Sequence, residues 1–520
     1  MANREELGII RGARAGRASA QLELGKLYLF GSAGLPKSLP TALHWLDRAA
    51  QQDCAEACEL IGAHIPLELV RQSGRPLALW YERAYDMGVA RAGLVLAQLV
   101  LLDGAAPSLH AKALRALESA AHAGLAEAQW LLARQQAGAA LPPTPAAMAV
   151  PAPATVPRPV PDRWLRRAAD SGVAEAQFTL LDQAWDGRQW ELYLQRALPL
   201  ARTLVQAAGG SQPPRMAPEE VLLVSRCARL LAGGHPGHQP AGPDELRRFW
   251  ELAAAEHDRH GQLAVGLWFA RMQVDGKRVA VGAGSANFKK AIRWLTLAGE
   301  QGMAEAWYAL SRIYIKPEFS QRNVGDAQKY LERAAEMGFR DAQLECGNNA
   351  WRARRENENN DVRAVYWLQK AAGQGCAEAA AALRKIAPRS AAPAYIETGA
   401  LVPGRDLAAS HPLLAARLEL AAIFRLSRAE ALLLDVKAAD RGHCLVIDIR
   451  SSYGRSKRRL VLLETAQERQ ALDRIVRLFD HVDGGPGGPE GNYRQRLYRL
   501  KTLVPDLPSA PLDEQYELAA

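Results

Sequence analysis

Six basic residues, Arg441, Arg450, Arg455, Lys457, Arg458 and Arg459, crowd one short stretch that holds a single acid, Asp448. With Arg428 a little upstream, cationic groups at this density suit contact with a phosphate backbone, which positions a protein on nucleic acid without reading its bases. On a solvated hairpin turn the same residues have a plainer use, because arginine and lysine at strand edges discourage aggregation. Both readings stay open. Nothing else in the chain assembles a reaction centre: there is no nucleophile beside a base, no phosphate-cradling loop and no metal-ligand cluster. His235 and His238 share a loop, but no carboxylate or cysteine is spaced to complete a site with them. The six cysteines are scattered, which argues against a disulfide framework. No catalytic residue, metal or cofactor is expected.

The elements that position the basic stretch differ from the rest of the chain. Leu413 to Val436 reads as helix, His443 to Arg450 alternates as a strand, Ser451 to Lys457 turns, and Arg458 to Leu463 is a second strand. A helix follows from Thr465 to His481, with Thr465 and Glu468 spaced as a capping box. The run Phe424-Arg425-Leu426-Ser427-Arg428-Ala429-Glu430, then the hairpin with Gly454-Arg455-Ser456-Lys457-Arg458-Arg459, resembles the opening of a tyrosine recombinase (phage integrase-like) catalytic domain. In that family an arginine before the Ser/Ala-Glu step clamps the scissile phosphate and a hairpin lysine is a general acid. The resemblance places Arg428, or Arg425 in a shifted register, in the first role. The lysine position falls near Gly454 and Arg455 rather than on Lys457, no His-x-x-Arg follows, and Tyr516 lies in an acidic tail. Strand cleavage needs the whole set, so what the resemblance implies is phosphate contact without recombinase activity.

Most of the chain is organised by a repeated junction, seen in Ala334-Ala335-Glu336-Met337-Gly338-Phe339-Arg340-Asp341-Ala342-Gln343 and centred in other copies on Gly88, Gly124, Gly172, Gly302 and Gly375. From 88 to 124 and from 302 to 338 is 36 residues, a period of helical-hairpin arrays. The paired alanines close one helix, the glycine takes the left-handed conformation that ends it, and Ala-Glu-Ala-Gln opens the next. Ahead of the junctions, faces such as Ala42-Leu43-His44-Trp45-Leu46 carry apolar residues at helical spacing that no helix buries alone, so neighbours must stack. Tryptophans 45, 80, 164, 250, 294 and 367 sit at equivalent places and are expected in the core. The expected fold is mostly α, a solenoid of antiparallel helix hairpins followed by a small α+β region. The runs Ala20-Gln21-Leu22-Glu23-Leu24-Gly25 and Ala42 to Ala50 resemble the Sel1-like repeat, a tetratricopeptide-like hairpin. That resemblance implies a non-catalytic scaffold that takes a protein partner on its concave face; a DNA-associated adaptor is the alternative.

At 520 residues the chain exceeds one compact core. The expected divisions are a first repeat block 1–136, a Pro/Ala-rich insertion 137–162, a second block 163–388, the α+β region 389–505 and a tail 506–520. The insertion is expected to be flexible and to join two helices of one repeat. A net charge of +9 permits acidic partners without demanding nucleic acid. With no secretion-type leader and no apolar run of about 18 residues, a cytoplasmic location without membrane contact is expected.

Overall fold

An alanine pair lets two helix backbones approach closely, and a glycine beyond it lets the chain reverse within a few residues. In the computed structural model Gly88, Gly124, Gly172, Gly302, Gly338 and Gly375 have φ between 82° and 93°, and a Cβ added at any of them would meet nothing. The left-handed backbone alone therefore selects glycine at these positions. The described residues are 4–32, 34–104, 107–139, 162–209, 215–234, 242–279, 285–388, 405–449, 458–483 and 487–503. They fall into two compact units, Met1–Ala241 and Gly242–Ala520, a division that lies inside the block expected at 163–388.

The first unit holds α1 (Arg4–Arg14), α2 (Ala18–Phe30), α3 (Leu39–Ala50), α4 (Ala55–His64), α5 (Leu67–Ser73), α6 (Ala78–Asp86), α7 (Ala90–Ala97), α8 (His110–His122), α9 (Ala126–Ala139), α10 (Asp162–Asp170), α11 (Ala174–Asp186), α12 (Trp190–Ala208) and α13 (Pro218–Ala232). Hairpins pair α2 with α3, α4 with α6, α7 with α8, and α9 with α10. Leu131 and Leu132 of α9 share a core with Trp164 and Leu165 of α10, so residues 140–161, themselves outside the described residues, connect two helices of one hairpin.

The second unit begins with α14 (Pro243–Ala255), α15 (Arg259–Ala270), α16 (Phe288–Glu300), α17 (Ala304–Tyr314), α18 (Val324–Glu336), α19 (Arg340–Arg352), α20 (Asn360–Gly373) and α21 (Ala377–Ile386). It continues with α22 (Arg405–Ser410), α23 (Pro412–Phe424), α24 (Arg428–Leu433), α25 (Val436–Ala439), β1 (Cys444–Asp448), β2 (Arg458–Leu462), α26 (Ala466–Phe479) and α27 (Tyr493–Leu503). The fold is thus a mostly α solenoid of helix hairpins with a small C-terminal α+β region. Four of the six tryptophans expected in the core, Trp45, Trp80, Trp250 and Trp294, are only half-buried, whereas Trp164 and Trp367 are buried. Of the half-buried rings, Trp45 is covered by Arg48 and Trp80 by Arg83.

The junction also carries a polar clamp. The residue five after the turn donates back to a carbonyl in the last turn of the preceding helix: Gln21 to Ala13 at 3.3 Å, Gln129 to Ala121 at 3.2 Å, Gln177 to Ala169 at 3.0 Å and Gln343 to Ala335 at 3.0 Å. Trp307 does the same with its indole N–H to Gly299. Carbonyls there lack helical partners. Successive clamps then link, since Gln52 donates to Gln21, Gln301 to Gln262 and Gln374 to Gln343, each from the position just before a turn residue. At the Gly172 junction that position is Ser171, and the buried Oε1 of Gln129 has no partner. Ser171→Gln is expected to supply the missing donor and stabilise the first unit by about 1 kcal/mol, read as a raised denaturant midpoint; a lowered midpoint would count against the ladder.

Not every junction uses glycine. Asp53 and His257 hold the turn at φ 58° and 64°. A side chain there costs about 1–2 kcal/mol against glycine's greater unfolded freedom. His257→Gly, at an exposed position, should therefore gain roughly 0.5–1 kcal/mol in chemical denaturation.

The C-terminal region covers the end of the second stack. β1 and β2 pair antiparallel, Cys444 with Leu462 through Asp448 with Arg458. Because successive side chains of a strand point to opposite faces, Leu445 and Ile447 enter a core with Leu420, Phe424, Leu472 and Ile475. Cys444, Val446 and Leu460 pack on Val365, Leu368 and Leu383 of α20 and α21. Both faces of the hairpin are covered, so β1 is apolar almost without interruption. Polar contacts frame the joint: His443 is 3.0 Å from the Val362 carbonyl and Gln369 donates to the His443 carbonyl.

Candidate interaction groove

Two of the arginines that sequence places on a phosphate-binding hairpin, Arg458 and Arg459, are engaged within the fold, while Arg441 is exposed. Arg458 donates to Asp361 of α20 at 3.0 and 3.1 Å, to Asp448 across the hairpin at 2.8 Å, and to the Glu358 carbonyl. Burial opposes its charge, but the two carboxylates prevail and hold the guanidinium above its ordinary pKa. Arg459, on the other face of β2, is bidentate to Glu430 of α24 at 2.7 and 2.8 Å. Arg428 opens α24 and is half-buried. Arg450, Arg455 and Lys457 lie outside the described residues, as do His235, His238 and Tyr516. Arg458 and Arg459 point to opposite faces of β2, the first toward Asp361 of α20 and the second toward Glu430 of α24.

What it does bring together is a row of first helices. α17, α19 and the start of α21 follow successive junctions, and a groove of about 640 Å³ runs across them. Tyr308 and Arg312 stand one turn apart on α17, and Glu345 answers both from α19: Tyr308 donates to it at 3.3 Å and Arg312 binds it at 2.6 Å. Arg312 also lies over the Tyr308 ring at 4.9 Å. Burial, assisted by Glu345 and opposed by Arg312, pushes the Tyr308 phenol up to about 12, so it remains a donor at neutral pH. This triad is a fixed floor. Beyond it Leu344, Asn348, Asn349 and Arg352 line the groove along α19, with Glu378 on α21. Asn348 and Asn349 are half-buried, and among the described residues no hydrogen bond uses their carboxamides. A carboxamide offers both donors and an acceptor, the pattern that matches a peptide backbone.

In the sequence Tyr308 reads most simply as an inner-face packing residue, and nothing beyond the junction marks α19. The signal available was the i, i+4 spacing of Leu344, Asn348 and Arg352 opposite the buried Ala342 and Cys346. Elsewhere in the chain burial pushes the thiols of Cys227, Cys346 and Cys444 up to about 12, far from the thiolate a nucleophile needs. Among the described residues no group of three or more His, Cys, Asp or Glu is placed to hold a metal, and no helix is long and apolar enough to cross a membrane.

The Sel1 repeat family model matches residues 18–54, 163–173, 262–303, 304–339 and 358–376. The matches at 304–339 and 358–376 include α17, α18 and α20, and none falls in the C-terminal α+β region. No curated protein matches the chain in sequence. Among solved structures it is similar to a protective antigen of uropathogenic Escherichia coli displaying an SLR fold, at 19% identity and TM-score 0.46 over 98% of this chain and 99% of that one. It is also similar to a Sel1 repeat protein from Oxalobacter formigenes, at 21% identity and TM-score 0.29 over 66% of this chain and 90% of that one. Superpositions this loose transfer no residue roles.

Proposed function

We propose that this chain, carrying Sel1 repeats along both units, is a non-catalytic scaffold that holds an extended segment of a protein partner in the groove across α17, α19 and α21. The observation that carries the reading is the pairing of a fixed floor, Tyr308–Glu345–Arg312, with two open carboxamides, Asn348 and Asn349, on the same groove. Repeat arrays use such faces to bind partners because each repeat adds an equivalent strip of surface. Among the lining residues Arg340 and Asp341 offset one another and Arg312 is met by Glu345, so a polar segment recognised through its backbone fits better than a highly charged one. A DNA-associated adaptor is not favoured by any specific observation, since Arg458 and Arg459 serve Asp361, Asp448 and Glu430.

The test is affinity capture with the full chain and with the double variant Asn348→Glu, Asn349→Glu. A partner retained by the parent and lost by the variant, with unchanged thermal unfolding, is the expected result. A partner retained equally by both would exclude this groove.

A further inference from the structure

Along its length the groove across α17, α19 and α21 is not electrically uniform. Of the six charged residues that line it, Arg312 is met by Glu345 and Arg340 by its neighbour Asp341. The other two are Arg352 and Glu378. Both are exposed, and among the described residues neither side chain takes part in a hydrogen bond or an ion pair. Arg352 lies in the last turn of α19 and Glu378 in the first turn of α21, where the helix dipole favours each charge without a side-chain partner. Hydrogen bonds between hairpins fix where the two stand. Gln374, at the end of α20, donates to the Gly338 carbonyl and to Gln343 near the start of α19. At the other end Asn360 of α20 donates to the Ala353 carbonyl, just past Arg352. The start of α21 therefore lies beside the start of α19, and Glu378 and Arg352 mark opposite ends of the groove. The helix from Arg340 to Arg352 rises about 18 Å, the span of about five extended residues. Between the ends lie Leu344, Asn348 and Asn349.

We propose that the groove selects a segment of about five residues with a basic side chain at one end, on Glu378, and an acidic side chain at the other, on Arg352. The inference rests on the groove reading and adds which segment is taken and which way round it lies. Positions four apart in an extended chain face the same side, so both charges reach the groove together. Such a segment is neutral overall, as the balanced middle of the groove requires. A segment with like charges at both ends meets repulsion at one of them, which excludes it.

Panning a phage-displayed library of random heptapeptides on the full chain tests it. The recovered sequences are expected to pair Lys or Arg with Asp or Glu four positions apart, in one order. The double variant Glu378→Arg, Arg352→Glu should recover the same pair in the opposite order, and Asn348→Glu, Asn349→Glu should recover neither. For a recovered peptide followed by fluorescence anisotropy, Arg352→Gln and Glu378→Gln should each weaken binding about three- to fivefold, the size of one exposed ion pair. That loss should shrink as salt rises. Peptides that depend on Asn348 and Asn349 but carry no such charge pair would overturn this proposal and leave the groove reading standing. So would peptides that bind Arg352→Gln and Glu378→Gln as tightly as the parent. A library that yields no binding peptide would overturn both.

Discussion

Replacing Glu490 with Ala is expected to melt the C-terminal α+β region while the first unit stays folded, at a cost of about 3–5 kcal/mol. The reason is an asymmetry between making and breaking a buried pair. Arg417 lies 3% exposed with four hydrogen bonds, two of them to Glu490. Removing the carboxylate strands that guanidinium, with Arg496 beside it, in a low-dielectric site. The same pair predicts an acid effect. Burial works to raise the Glu490 pKa, but the hydrogen bond and charge of Arg417, with Arg496 and Arg499, hold it below the ordinary 4.5. Asp440 is likewise held below 3.8, chiefly by its hydrogen bond from Arg469. A carboxylate depressed in the folded state contributes stability that is fully present above its unfolded pKa and is lost as pH falls through the folded value. The region should therefore be insensitive to pH near neutrality and weaken below about pH 4. Hydrogen exchange on α23 and α27 would follow both effects; unchanged protection in Glu490→Ala would remove the pair from the stability account.

Val446→Asp should separate the hairpin from the last repeat at a cost of about 4 kcal/mol. Val446 is 5% exposed between β2 and the helices α20 and α21, in a cluster with Leu368, Leu383 and Leu460. A carboxylate placed there would be desolvated among these apolar side chains. The expected signature is specific: amides of α20 and α21 gain exchange because their apolar face loses its cover, while those of α17 and α18 hold. An array end needs such a cover, since a terminal hairpin otherwise exposes the face that a next repeat would bury. Exchange confined to the hairpin would show that α21 ends the stack without help.

The local signals in this chain were strong and the distant ones silent. The paired alanines with a glycine and the Thr465–Glu468 capping box are each written within a few residues, and the backbone follows them, whereas the strand expected at Cys444 to Asp448 forms as a continuous buried apolar run rather than an alternating one. The basic stretch looked unanswered because its partners are remote: Asp361 is 97 positions from Arg458, and Glu430 is 29 from Arg459. No periodicity reports a pair that only tertiary packing creates. The groove falls between these cases. Its residues repeat at helical spacing on α19, but polar residues on a helix face read as solvated until the neighbouring helices are seen to flank them.

Partner contact across α17, α19 and α21 is open to a direct test. A photoreactive side chain placed at Asn348, and in a second protein at Lys329 on the exposed face of α18, tests it by mapping the adducts formed in the cells that make the chain. The same partner segment crosslinked from 348 and absent from 329 is the predicted result. Equal adducts from both positions, or adducts from 329 alone, would contradict it.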